Sequence, residues 1–127
     1  MKVYLVQLNT KRYEKVEAVF STYEQAVSLL EDALGAKACK NDTWRIPSNR
    51  RLFSIEEYEV EEKTDEVYIV KSSVEDYSDK VVRVYSSRED AVDYIEQHED
   101  LRYALYNLWQ HKDSIYRYWT IEKRDIL

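Results

Sequence analysis

The chain has 127 residues, of which 44% are hydrophobic and 35% charged, a balance typical of a folded protein and not of a disordered one. Its net charge of −6 disfavours non-specific binding to DNA or RNA, and its single cysteine excludes an internal disulfide and a thiolate-rich zinc site. No apolar run approaches the roughly 20 residues that cross a bilayer, and the first residues lack the features of a signal peptide, so we expect a cytoplasmic protein without membrane contact.

The first residues predict a strand pair followed by a helix. Lys2 to Leu8 is rich in β-branched and aromatic residues, and Lys15 to Phe20 alternates apolar and polar residues, so we expect a hairpin. Ser21 and Glu24 form a capping-box pattern, which predicts that a helix begins there. Gly35 is a natural end for this helix. Its predicted apolar face comprises Ala26, Val27, Leu30, Ala33 and Leu34.

The connection after this helix, "AKACKNDTWRIPSN", is polar and contains the only proline, so we expect a loop. Leu52 to Val60 then predicts a third strand. Trp44 is followed by Arg45, and Arg50 and Arg51 are close in sequence. A nucleotide or phosphate ligand uses an aromatic plane beside guanidinium groups, so these four are candidate ligand-binding residues. The alternative is that Trp44 anchors the loop as its one aromatic residue.

Acidic residues are dense at the end of the third strand and in the segment that follows it. A functional interpretation is a surface that resembles a phosphate backbone and competes for a nucleic-acid-binding protein. The alternative is a solvated strand edge and linker, whose charges prevent edge-to-edge association. The candidate residues are Glu57, Glu59, Glu61 and Glu62.

The second half of the chain repeats the first. "VYLV", which begins at Val3, recurs as "VYIV" at Val67, and Tyr13 recurs as Tyr77, both at an offset of 64. "AVFSTYEQAVSLLE" aligns with "RVYSSREDAVDYIE" at an offset of 65, as does Trp44 with Trp109. "RLFSIEEYEV" aligns with "RYWTIEKRDI" at an offset of 66. Because the matches keep their order, we predict a tandem duplication, with repeats at residues 1–62 and 65–127.

We therefore expect an α+β fold of two β-β-α-β units with antiparallel sheets, related by an approximate two-fold axis. Ser86 and Glu89 repeat the capping-box pattern in the second unit. A unit of this size buries only a modest core, so the units should pack as one globular domain. We favour sheets that join at an edge over helices that pack between two sheets.

The second connection, "EDLRYALYNLWQHKDS", differs from the first and predicts an extra helix opened by Asp100. Its apolar positions at helical spacing are Leu101, Ala104, Leu105, Leu108 and Trp109. Because the scaffold is otherwise duplicated, a specific function is expected where the units differ. Tyr103 and Tyr106 are the candidate partner-contacting residues, since tyrosine is favoured in protein interfaces. The alternative is that this helix fills a gap between the units.

The sequence carries no recognisable catalytic signal. A single glycine excludes glycine-rich phosphate loops, and no serine has the flanking glycines of a hydrolase nucleophile. His98 and His111 are separated by 13 positions, which matches no metal-binding spacing. We expect no catalytic residues, no metal and no cofactor, and hence a protein that is not an enzyme.

The pattern "MKVYLV…VEAVFSTYEQAVSLLE…FSIEEYEV" resembles a class of small bacteriophage proteins with no established activity. Their form is a hairpin, a "V-F-S-T-x-E-x-A" helix start and a closing "Y-x-I-x-x-Y-x-V" strand. The second copy departs from this form at Arg124, where the tyrosine would be. The resemblance implies a phage or prophage origin. The matching positions in the first copy are Val19, Phe20, Ser21, Thr22, Glu24, Ala26, Phe53, Ile55, Tyr58 and Val60.

Small acidic phage proteins without catalytic signatures often act by binding. The leading hypothesis is an inhibitor of a host or antiviral-defence protein, acting by direct protein–protein binding in the bacterial cytoplasm, as a monomer or homodimer. A first alternative is a sponge that sequesters a nucleotide immune signal with the aromatic and arginine residues around Trp44. A second is a structural or assembly accessory protein.

Overall fold

The structure is a computed structural model, and it describes residues 1–74 and 78–127. Tyr77, the predicted counterpart of Tyr13, lies outside these residues. The first half contains β1 (Lys2–Asn9), β2 (Glu14–Phe20), α1 (Tyr23–Ser28) with a following π-helical turn (Leu29–Ala33), β3 (Lys37–Ala38), β4 (Thr43–Arg45) and β5 (Leu52–Glu59). The second half contains β6 (Glu66–Val74), β7 (Ser78–Tyr85), α2 (Arg88–Glu96), β8 (Leu101–Leu105), β9 (Leu108–His111) and β10 (Ser114–Asp125).

The strands form two five-stranded antiparallel sheets. The first has the order β2-β1-β5-β4-β3, and the second has the equivalent order β7-β6-β10-β9-β8. The α+β class is confirmed, as are the strands predicted at Lys2 to Leu8, Lys15 to Phe20 and Leu52 to Val60. The fold contains more sheet than expected, because each half adds two short strands to the predicted three.

These short strands lie in the two connections, so the predicted loop and the predicted extra helix are both wrong. Each connection is a β-hairpin, β3–β4 in the first half and β8–β9 in the second. Asn41 and Asp42 turn the first hairpin with left-handed φ angles of 59° and 53°, which asparagine and aspartate tolerate better than most residues. Asn107 lies in the turn of the second hairpin and has a φ of 61°. Asp100 precedes a strand and opens no helix.

Both helices begin one residue later than the capping-box patterns suggested. The Oγ1 atom of Thr22 accepts from the backbone N–H of Gln25 at 3.2 Å. The Oγ atom of Ser87 accepts from the N–H of Asp90 at the same distance. Each cap follows a second hydroxyl residue, so the sequence offered two registers, and burial of the apolar helix face selects between them.

Each sheet is covered on one face by its helix and on the other by the opposite sheet. The helix-side core of the first sheet includes Val6, Ala26, Leu30, Trp44 and Phe53. The helix-side core of the second sheet includes Val70, Ala91, Ile95, Trp109 and Ile121. The layer between the sheets draws on both halves and includes Val3, Leu5, Val19, Val67, Ile69 and Val84. The order of layers is therefore helix, sheet, sheet, helix.

The expectation that the sheets join at an edge is wrong, because they pack face to face. Within the described residues, their backbones meet at one parallel bridge, between Val19 of β2 and Ile126 beyond β10. The Leu127 N–H also donates to the Val19 carbonyl at 2.8 Å. Alternate residues of β1 are buried on opposite faces, so both faces of the sheet need apolar cover, which edge joining does not supply.

Arg124 ties the two sheets together. The pairing of β1 with β2 contains a bulge at Glu17, since Val6 pairs with Ala18 and Gln7 with Val16. Arg124 of β10 donates from Nη1 to the Val16 carbonyl and from Nη2 to the Glu17 carbonyl, each at 2.6 Å. The arginine of one sheet therefore donates charge-assisted hydrogen bonds to two backbone carbonyls at the bulge of the other.

Polar side chains occupy one end of the layer between the sheets. Tyr58 donates a hydrogen bond from its hydroxyl to Glu56 Oε2 at 2.7 Å. Burial and then this hydrogen bond raise the pKa of Tyr58 well above its ordinary value. Burial, followed by the nearby Glu56 carboxylate, raises the pKa of Glu14 above 4.5, while a backbone hydrogen bond with Val81 and then the charges of Lys80 and Lys71 act in the opposite direction.

Leu30 and Ile95 are fully buried under their sheets, so replacing either with alanine should leave a cavity. We expect Leu30→Ala and Ile95→Ala each to lower the free energy of unfolding by about 2–5 kcal/mol, measured by chemical denaturation. Leu34→Ala is the control, since Leu34 lies past the helix and is 40% exposed. A cost below about 1 kcal/mol at both buried positions would contradict this packing.

Arg124→Ala should destabilise the protein because it leaves the Val16 and Glu17 carbonyls without their charged donor. The expected loss is about 1.5–3 kcal/mol in chemical denaturation, the usual range for hydrogen bonds to charged groups. Arg117→Ala, an exposed substitution on the same strand, should change stability by less than about 0.5 kcal/mol. Equal effects of the two substitutions would show that the inter-sheet contact contributes nothing specific.

Glu14→Gln should stabilise the protein increasingly as pH rises. The raised pKa means that the fold favours neutral Glu14. The stability that neutral Glu14 contributes is complete below the unfolded pKa near 4.5 and is lost as pH rises through the folded pKa. Glutamine never ionises, so unfolding curves should agree near pH 4 and separate towards pH 7. Glu62→Gln, in the exposed linker, is the control. If the stability difference between Glu14→Gln and the wild type stays constant from about pH 4 to pH 7, the raised pKa of Glu14 is contradicted.

Candidate functional site

An exposed apolar group lies on the β8–β9 hairpin. Tyr103, Leu105 and Tyr106 are 58%, 61% and 67% exposed, and we call these three residues the aromatic hairpin. Tyr103 and Tyr106 were expected to be exposed on a helix, and the structure places them, still exposed, on a strand and its turn. Leu105 was expected in a buried helix face and is instead open to solvent. Ile115 and Tyr116 at the start of β10 are also exposed.

Side-chain contacts hold the aromatic hairpin in place. The Arg88 guanidinium, in the first turn of α2, lies 4.5 Å from the centre of the Tyr106 ring. Arg88 also donates from Nε to the Asn107 side-chain oxygen at 2.9 Å. Tyr103 packs edge-on against Trp109, with ring centres 5.6 Å apart. The exposed rings are therefore ordered before any partner arrives, which lowers the entropy lost on binding.

The β3–β4 hairpin has the same place in its sheet but a different surface. Its exposed residues are small or polar: Lys37, Ala38, Cys39, Lys40, Asn41, Asp42 and Arg45. Its turn is supported by a hydrogen bond from the Tyr23 hydroxyl to Asp42 at 2.9 Å, where the second half uses Arg88 and Asn107. A hairpin at this position therefore folds without exposed aromatic residues.

A second candidate site lies where the β1–β2 turn meets the β4–β5 loop. A groove of about 650 Å³ is lined there by Lys11, Tyr13, Arg45, Arg50 and Arg51, which we call the basic groove. The pairing of Asn9 with Leu52 brings the turn and the loop to the same end of the sheet. The predicted proximity of the three arginines is confirmed. Lys11 and Tyr13 were missed, because their contribution depends on this long-range pairing.

Trp44 does not line the basic groove. It is 4% exposed, pairs with Phe53 across the sheet and donates from its indole N–H to Glu31 at 2.8 Å. The structure thus leaves no face of Trp44 open for stacking on a ligand. Trp44 instead anchors the connection as a buried aromatic residue, which was the alternative interpretation of its sequence.

The four acidic candidates are exposed and lie on the end of β5 and in the linker. Two of them have cationic neighbours: Glu57 lies 3.7 Å from Lys2 Nζ, and Glu59 lies 3.1 Å from the terminal amino group. The part of β5 that carries them pairs with β1, whereas β4 reaches only Leu52 to Ser54. Partial neutralisation makes this strand a weaker imitation of a phosphate backbone than its sequence suggested.

The described residues contain neither a metal-binding cluster nor a membrane-spanning helix. Within residues 1–74 and 78–127, no three His, Cys, Asp or Glu side chains are grouped so as to hold a metal ion. No helix in the described part of the chain has the length and apolarity needed to span a membrane. Comparisons with protein families, curated proteins and solved structures find no match.

Proposed function

We propose that this chain is a non-catalytic binding protein that inhibits a host or antiviral-defence protein, and that the aromatic hairpin contacts the target. The observation that carries the proposal is the contrast between the two hairpins. Both occupy the same position in equivalent sheets, yet only β8–β9 presents large apolar side chains to solvent. Since the fold does not require them, a binding role accounts for their exposure.

The exposed residues are of the kind that dominates protein interfaces. Tyrosine supplies a large contact area with few rotatable bonds, and binding energy concentrates in such ordered aromatic residues. Arg88 and Trp109 already restrain Tyr106 and Tyr103. Binding therefore costs little additional ordering of these side chains.

The chemistry of the surface suggests the form of the target. Arg102 precedes Tyr103, is exposed and forms no ion pair with any residue in the described ranges. A target with an apolar pocket and carboxylates at its border would complement both features. Charge at the border would accelerate association, while the apolar contacts would slow dissociation.

We infer that the two halves arose by tandem duplication and are related by an approximate two-fold axis. The ordered sequence matches support this origin, as do the equivalent strand orders. The bulges also correspond: Glu17 is unpaired in the first half, and Val82, 65 residues later, is unpaired in the second. Within a duplicated scaffold, exposed residues that differ between copies are where a later function is expected.

The resemblance to small bacteriophage proteins supports the proposed class of target. A phage or prophage protein without catalytic groups acts on its host by binding, and inhibition of a defence protein is the outcome that we propose. A structural or assembly role would use the same surface on a different partner. Sequestration of a nucleotide by Trp44 lacks support, because that side chain is buried.

The double substitution Tyr103→Ser and Tyr106→Ser should weaken target binding by about 30-fold or more, because interface tyrosines often contribute 2 kcal/mol or more. The measurement is capture from a bacterial host extract, identification of the target, and titration of the purified pair. The melting temperature should change by only a few degrees, since both side chains are largely exposed.

The matched control is Lys37→Ser with Cys39→Ser on the β3–β4 hairpin, which should leave target affinity unchanged. A target that binds the tyrosine double variant as tightly as the wild type would contradict the proposal. If neutralising Glu57, Glu59, Glu61 and Glu62 with glutamine weakens binding instead, the acidic surface is the interface. If the wild type self-associates, the tyrosine variant does not, and no other partner is captured, the aromatic hairpin is a homodimer surface.

A further inference from the structure

We propose that the basic groove is a binding site for a nucleotide that carries at least two phosphate groups. The groove is on the first sheet and the aromatic hairpin is on the second, so this site is separate from the target-binding surface. The phosphates would lie among Lys11 and the three arginines, and the base would stack on Tyr13.

The groove concentrates positive charge in an acidic protein. Four cationic side chains line it, and no carboxylate among the described residues does, although the chain as a whole carries a net charge of −6. Among the described residues, none of the four forms an ion pair. Clustered cations repel one another unless an anion joins them, and guanidinium groups bind phosphate oxygens in pairs.

Both loops that carry the cations are closed by hydrogen bonds. In the β4–β5 loop, the Ile46 N–H donates to the Arg51 carbonyl at 3.0 Å, and the Arg50 N–H donates to the Ile46 carbonyl at 2.8 Å. Arg50 has a left-handed φ of 59°, and its carbonyl accepts from Arg45 Nη1 at 3.0 Å. These contacts fix the loop, so the positive groups are gathered before a ligand binds.

The β1–β2 turn is similarly fixed. The Thr10 hydroxyl oxygen accepts from the N–H groups of Arg12 and Tyr13, at 3.2 and 3.1 Å. Tyr13 is 43% exposed, so part of its ring is open to the groove. A volume of about 650 Å³ falls in the range of small-ligand sites, and bases of every kind stack on aromatic rings.

A short anion fits this surface better than a nucleic acid. The end of β5 and the linker carry exposed acids, which would repel a long phosphate backbone that extended across the same protein. Free nucleotides and inorganic pyrophosphate share the phosphate chemistry, and Tyr13 distinguishes between them because only a nucleotide has a base to stack.

Calorimetric titration in low-salt, magnesium-free buffer tests the proposal with the four common nucleoside triphosphates, AMP, adenosine and pyrophosphate. Triphosphates should bind most tightly, AMP more weakly, and adenosine without measurable heat. Lys11→Gln with Arg51→Gln should weaken triphosphate binding by about tenfold or more, because it removes two charged donors. Tyr13→Leu should weaken triphosphate binding but leave pyrophosphate binding unchanged.

Lys40→Gln with Lys112→Gln makes the same change in net charge at exposed turns outside the groove, and should alter affinity by less than about twofold. The proposal is overturned if no triphosphate binds at about 1 mM, or if both double variants weaken binding equally. Pyrophosphate binding as tight as triphosphate binding would also overturn it, because the base would then contribute nothing. Target binding through the aromatic hairpin should be unaffected by the groove variants, so either proposal can fail alone.

Discussion

The first strand of each half, β1 or β6, is apolar on both faces, and the rest of the architecture depends on this constraint. In β1, Val3 and Leu5 face the opposite sheet while Val6 faces α1. In β6, Val67 and Ile69 face the opposite sheet while Val70 faces α2. Each sheet therefore needs apolar cover on two sides, and one short helix supplies only one of them. Stacking the sheets supplies the other for both halves at once.

This arrangement leaves the ends and edges of the sheets free to vary. The hairpins and loops lie outside the three apolar clusters except where single residues such as Trp44, Trp109 and Leu101 anchor them. Exposed residues there can change with little effect on folding. The aromatic hairpin and the basic groove are both built in this way, on backbone that short-range hydrogen bonds and one or two buried side chains hold in place. Two chemically different surfaces can thus exist on equivalent scaffolds.

The sequence predicted the long elements because their signals are local. β-Branched and aromatic residues identified β1, and alternation identified β2. Apolar spacing identified the helix position Leu30, and sequence alignment with the first half identified Ile95 as its equivalent. The prediction from sequence was wrong where one pattern of apolar residues fits both a helix and a strand. Leu101, Leu105 and Leu108 have helical spacing, but Leu101, Tyr103 and Leu105 also alternate as in a strand, and Asn107 was the turn signal that decided between them.

The candidate sites depended on information that no local pattern contains. Trp44 was a candidate ligand-binding residue because it lies beside arginines in a polar segment, yet Phe53 and Glu31 come from distant positions to enclose it. Lys11 and Tyr13 join the arginines only through the register of β1 with β5. Arg124 was noticed in the sequence, but its contact with the bulge in the other half depends on the arrangement of the two sheets.

The layer shared by the two sheets has a consequence for synthesis on the ribosome. The first 62 residues contain a complete sheet with its helix, but the face with Val3, Leu5 and Val19 has no cover until the second half emerges. At roughly 5–20 residues per second, that delay lasts on the order of 3–13 s, during which the nascent sheet can adhere to other chains. Gln7 lies on the same face of β1 as Val3 and Leu5 and is fully buried in the complete fold. In the half-built protein its polar amide is open to water, so it reduces the apolar area of the uncovered face.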